Sequence, residues 1–195
     1  MEQVLHSAVE LGHRYQFDEQ HARQVAQLSC TLYRALQDEH GLERRYETIL
    51  HVAALLHELG NFVSDRMHHK HSMYLILHSE LFGVSSRDRT LIALIARYHR
   101  KSTPKSDHEV FSSLPLEQRT IVSKLAAILR VADALDRGHN RRMRDIRCRV
   151  RRDELLIQIP DVDDLSLENL ALKEKGGMFE EVYGLHVSVT RLRRV

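Results

Sequence analysis

"AALLHELGNFVSDRMHHKHSMYLI", residues 53–76, holds the positions on which the fold reading turns. Its apolar opening, Ala53 to Leu56, runs into His57-Glu58 and then Gly60-Asn61. Apolar residues at helical spacing followed by glycine and asparagine read as a helix closing. An imidazole and a carboxylate side by side at such an end are either ligands for an ion or a solvated cap. Which of these applies depends on what the rest of the chain brings to them.

Working outward, the 3.6-residue period recurs on both sides. Residues 2–13 and 19–39 read as helices, the second with Ala22, Val25, Ala26, Leu28, Leu32 and Leu36 on one stripe. Asp18 suits its N-cap, and Gly41 its stop. Residues 44–59 form a third helix, 68–79 a fourth, and a fifth starts near Arg87 with Ser86 as cap. "LEQRTIVSKLAAILRVADALDRG" is a long sixth helix ending at Gly138. Beyond it the period changes to two. Ile146, Cys148 and Val150 alternate with arginines, "RDE" offers a turn into a second strand, and Leu185, Val187 and Val189 mark a last one. Between the strands, a helical segment is interrupted at Gly176-Gly177. The expected fold is mainly α: a helical domain over 1–140, then a small α+β domain of β-β-α-β order over 141–195.

The 195 residues include 43% apolar and 29% charged, the balance of a globular protein with a real core. No apolar run approaches the ~18 residues of a membrane span. The N-terminal segment has no signal-peptide block, and Cys30 and Cys148 stand far apart. A cytoplasmic, reduced setting is expected. Net charge is only +2, but residues 141–152, "RRMRDIRCRVRR", carry seven arginines against one acid.

Four segments bring ligand-type residues beside apolar stripes: His21, His57 with Glu58, the cluster His68, His69 and His71, and Asp133. Helices pack on their stripes, which aims such residues inward. Imidazole and carboxylate together suit a divalent metal: manganese, magnesium, zinc or iron. His68 and His71, three apart, can share a helix face, and one of them is expected to point in; His69 and Lys70 are expected at the surface or on phosphate.

The order His, His-acid, Asp over helices resembles the HD metal-dependent phosphohydrolase superfamily. "HARQVAQLS", "HVAALLHELG", "HHKHSMYLI", "IARYHRK" and "LAAILRVADALDR", in that order, are similar to the C-terminal half of the exopolyphosphatase/guanosine-pentaphosphate phosphatase (Ppx/GppA) family. "FEEVYG" is similar to part of that family's last small domain. The resemblance spans nearly the whole chain and implies an HD-type helical domain. Carried over, the metal pattern falls on His21, His57, Glu58 and Asp133, with Glu58 and Asp133 as the catalytic carboxylates if the site is active. Glu58 departs from the pattern, which has aspartate there. The extra methylene works against tight bridging of two ions. The resemblance assigns exopolyphosphatase chemistry to an N-terminal actin-like half with glycine-rich phosphate loops. The eight glycines here form no such loop. The chain then reads either as part of a larger enzyme, with N-terminal catalytic domains as partners, or as a free-standing relative.

Arg97, His99, Arg100 and Lys101 cluster at one helix end, and Arg130 and Arg137 flank Asp133 by about one turn. Guanidinium groups bind phosphate in pairs of hydrogen bonds, so these residues with Lys70 form an expected phosphate-binding rim. Arg130 and Arg137 also stand at salt-bridge spacing from Asp133 and Asp136. The expected function is binding of polyphosphate or a guanosine polyphosphate. The alternative is an active metal-dependent phosphohydrolase. A third reading makes the helices an interaction unit forming a homodimer. Duplex nucleic acid is not expected, because neither aromatic interleaving nor a recognition helix is present.

Overall fold

A computed structural model describes residues 2–139, 143 and 145–192. The helices run α1 (Glu2–Arg14), α2 (Glu19–Ala35), α3 (Gln37–His40), α4 (Arg45–Leu56), α5 (His68–Leu77), α6 (Ser86–Arg97), α7 (Glu109–Ser112) and α8 (Leu116–Leu135). Then come β1 (Arg147–Arg151), β2 (Glu154–Ile159), α9 (Ser166–Lys175), α10 (Gly177–Tyr183) and β3 (His186–Arg191). The mainly α reading with a β-β-α-β end holds. The boundary near 140 and three of the seven arginines, Arg141, Arg142 and Arg144, lie outside the described residues.

α8 is the axis. Leu125 to Leu135 is buried throughout. A helix apolar on every side must be covered on every side, and here α2, α4, α6, α9 and α10 pack around it. The buried apolar residues form one continuous cluster that takes in both the helices and the sheet.

The sheet order is β1-β2-β3, with β1 antiparallel to β2 and β2 parallel to β3. A parallel neighbour needs a crossover, which α9 and α10 supply. In the register Cys148 pairs with Ile157 and Val150 with Leu155, while Val187 and Val189 flank β2 on the other side. Arg147, Arg149 and Arg151 stay exposed, as their alternation requires.

Helix ends differ from the expectations in ways that matter for the site. Asp18 does cap α2, its side chain accepting from His21 N at 3.1 Å. Such a cap contributes about 1 kcal/mol and fixes the turn that carries His21. Ser85, not Ser86, caps α6, accepting from Asp88 N. Helix 19–39 breaks at Leu36, and Gly41 ends α3 at φ 61°. α8 stops at Leu135, before Gly138.

The third helix stops at Leu56, so His57 and Glu58 stand just past its end, followed by 3₁₀ turns at Leu59–Phe62 and Asp65–Met67. Gly60 is not a left-handed stop. A Cβ there would sit 2.1 Å from His68 O and 2.5 Å from Ser72 N. The glycine lets this turn lie directly on the backbone of α5. Ser72 Oγ ties the two together, donating to His57 O and accepting from Gly60 N, both at 2.8 Å.

Candidate metal and phosphate site

Three buried histidines share one arrangement. His57 Nδ1 donates to Ala54 O at 2.7 Å, and His99 Nδ1 to Ala96 O at 2.6 Å. Each ring sits just beyond a helix and reaches back three residues to a carbonyl near the helix's end, where carbonyls lack intrahelical partners. His21 Nδ1 donates to Asp136 Oδ2 at 2.8 Å. A neutral imidazole that donates from Nδ1 presents a bare lone pair at Nε2. Among the described residues, Nε2 of His21 and of His57 is buried without a hydrogen-bond partner. Orienting one ring nitrogen so that the other is free is how metal-binding histidines are held.

Asp133 faces both. Its Oδ1 lies 3.7 Å from His21 Nε2 and 3.8 Å from His57 Nε2. Donors sharing one ion at about 2.0–2.2 Å lie about 3–4 Å from each other, so His21, His57 and Asp133 could hold a divalent ion. Glu58 Oε2 lies 4.0 Å from His21 Nε2. Its carboxylate also gathers with His57 and His99, and with His21 and His139. The longer side chain thus reaches the edge of the triad and adds further ligand sets beside it.

His68 is the inward member of its cluster, 3% exposed. Its Nδ1 lies 3.0 Å from Asp65 O and 3.3 Å from Arg100 Nη1. A guanidinium can only donate, so with Nδ1 accepting from Arg100 the His68 Nε2–H donates to the Nε2 of His99 at 3.1 Å.

Charge and burial set the protonation states. Burial pulls His57 down, but the carboxylates of Asp133 and Glu58 outweigh it, and its pKa lies above the ordinary imidazole value. Burial pushes Asp133 up, yet His57 and Lys175 hold its carboxyl well below the usual range. Burial, aided by the charge of His57, keeps His99 well below its ordinary value. His68 is lowered as well, first by burial.

Asp133, His68 and His99 face a cavity of about 300 Å³, lined by Glu58, Asn61, Asp65, His68, His99, Arg100, Asp133, Arg137, His139 and Lys175; His21 and His57 lie behind that lining. The expected rim divides here. Arg100 and Arg137 line the cavity. Arg97 turns its guanidinium over the Tyr98 ring, 5.7 Å from the centroid, and lines a different cleft with Asp107 and His108. Arg130 is 4% exposed and donates to the carbonyls of Tyr98 and Ser102, both at 2.7 Å. It braces α8 against the chain that follows α6 and does not make the salt bridge to Asp133 that its spacing suggested. Lys70, His71 and Lys101 are not among the lining residues. His69, expected at the surface, is buried, and its pKa falls to about 4.

Three contributors were not anticipated. Asp136 orients His21, and its position one turn after Asp133 on the same helix face was a usable signal. His139 stacks on His21 with centroids 3.8 Å apart. Lys175, at the end of α9, is buried and donates to Asp133 Oδ2; no local pattern marks it.

The sequence profile of Ppx/GppA phosphatase, domain III, matches residues 5–175, a span that includes His21, His57, Glu58, Asp133 and Lys175. The chain belongs to the Ppx/GppA family. It is similar to proteins named guanosine-5'-triphosphate,3'-diphosphate pyrophosphatase. The one from Pseudoalteromonas atlantica is 29% identical over 131 residues, covering 67% of this chain and 25% of the relative. That from Photobacterium profundum is 30% identical over 118 residues, 60% of this chain and 22% of the relative. That from Pseudoalteromonas translucida is 27% identical over 175 residues, 87% of this chain and 32% of the relative. This Ppx/GppA domain thus spans about a quarter to a third of the length of the relatives it matches. No described helix is long and apolar enough to cross a membrane.

Proposed function

We propose that this Ppx/GppA domain III binds phosphate groups of polyphosphate or a guanosine polyphosphate at the cavity between Glu58, His99, Arg100 and Arg137, in a cytoplasmic protein. The observation that carries this reading is the convergence of Arg100, Arg137 and Lys175 with the rings of His68 and His99 on one cavity. At about 300 Å³ it admits one or two phosphate groups and not a duplex. Arg100 and Arg137 supply planar donor pairs for phosphate oxygens. The name of the matched relatives describes action on a guanosine polyphosphate, which supports the same ligand class. The relatives are also more than twice as long as this chain, which supports partnership with N-terminal catalytic domains.

Filter binding of long-chain polyphosphate tests this. Binding should be measurable at low salt and should weaken at least tenfold between about 50 mM and about 200 mM salt, because neutralised phosphates release counterions. Arg100→Ala with Arg137→Ala should weaken it further. No binding at low salt would remove the proposal.

A second reading rests on the fit of His21, His57 and Asp133 to one ion. A divalent metal bound there would supply Lewis acidity toward a phosphoryl oxygen. The chain's residues would do the rest: Asp136 and the Ala54 carbonyl fix the two ring orientations, Arg100 and Arg137 place the phosphate, and Glu58 offers a carboxylate at the cavity wall to take a proton. In this reading the domain is a metal-dependent phosphohydrolase.

A further inference from the structure

Asp133 is shared. Its Oδ1 faces the bare Nε2 atoms of His21 and His57, while its Oδ2 accepts from the Lys175 ammonium. Both partners of that ion pair are almost fully buried, with Asp133 5% and Lys175 9% exposed. Lys175 is not free to swing away with a flexible tail. α9 seats Ala171 and Leu172 in the core, Gly176 N closes its end on Leu172 O at 2.7 Å, and Met178 and Phe179 anchor the next turn. The helix that follows β2 therefore delivers one cation to the carboxylate that the helical part offers to an ion.

A buried carboxylate without a counter-charge is costly, and a paired one is tolerated. In the ion-free protein His57, when protonated, shares that role with the Lys175 ammonium, which is in direct contact with Oδ2. When a divalent cation approaches His21, His57 and Oδ1 of Asp133, it meets a carboxylate already neutralised and a second positive charge held beside it on a mostly buried side chain. We infer that Lys175 is an internal competitor of the divalent ion: a tethered ammonium that holds Asp133 when the site is empty and weakens the affinity of the His21–His57–Asp133 triad for metal. The inference rests on the metal-binding reading above and goes beyond it, since it assigns control of that site to a residue of the crossover between β2 and β3.

The test is titration of the full chain with manganese alone, with free Mn²⁺ read by electron paramagnetic resonance, together with melting temperatures with and without the ion. Lys175→Met should bind manganese at least tenfold more tightly than the parent protein. It should also melt lower than the parent without ion and gain more from adding it. Lys175→Arg, which keeps the charge, should stay within about threefold of the parent affinity. Lys175→Gln, which is neutral but keeps a donor for Asp133, replaces the Met variant if that one folds poorly, and should also bind more tightly. A parent protein that binds manganese, with neutral variants that bind it equally or less well, would overturn the role of Lys175 and leave the metal site standing. If parent and variants alike bind none at millimolar manganese, the metal reading itself falls, and the competitor with it.

Discussion

Gly60→Ala is expected to cost about 3 kcal/mol of stability or more, and to weaken ion and phosphate binding with it. The added Cβ would stand 2.1 Å from His68 O, 2.5 Å from Ser72 N and 2.8 Å from His71 Cβ. Two of these are backbone atoms in the first turns of α5. No rotamer change relieves them, so α5 must move away from the turn that follows α4. That turn carries His57 and Glu58, and α5 carries His68. The separation would also break the bridge in which Ser72 Oγ joins His57 O to Gly60 N. Urea unfolding measures the first effect through the midpoint, and manganese or polyphosphate titration the second. A variant with the parent's midpoint and affinities would show that the turn does not depend on this approach.

Asp133→Asn is the second large effect. It leaves Lys175 buried without its counter-charge, a change that typically costs about 3–5 kcal/mol. It also removes the carboxylate that lies between the two unpartnered imidazole nitrogens, so manganese binding should be lost. An Asp133→Asn protein of parental stability, or with parental manganese affinity, would contradict this.

The pH dependence of the ion-free protein follows from the same residues. The folded pKa of Asp133 is depressed, so its contribution is present above the unfolded value of about 3.9 and is lost as pH falls through the lower folded value. The folded pKa of His57 is raised, so its contribution is full below about 6.5 and is lost as pH rises through the higher folded value. An ion requires His57 neutral. Manganese affinity should therefore rise with pH across that folded value, and fall about tenfold per unit below it.

Much of this was legible before any coordinates. The helical order and the turn to a period of two follow from spacing alone. His21, His57 and Asp133 were findable because each lies beside an apolar stripe that must face the core. Two misreadings have a common cause. Gly60 fits both a helix stop and a close backbone approach, and Arg130 fits both a phosphate rim and a helix salt bridge; local spacing is the same in each case, and only the neighbouring element decides. Once α5 is packed against the turn at Gly60, that glycine is a contact. With the Tyr98 and Ser102 carbonyls placed beside α8, the Arg130 guanidinium is taken up by them. Lys175 was not legible at all, because the sheet and its crossover bring it to Asp133 across 42 residues.

Calorimetric titration of the metal-stripped protein with manganese at pH 7.5, beside His57→Ala, bears most directly on the site. The convergence of bare imidazole nitrogens on Asp133 predicts at least one bound ion per chain in the parent and none at that site in the variant. No binding by the parent, or unchanged binding after His57 is removed, would contradict it.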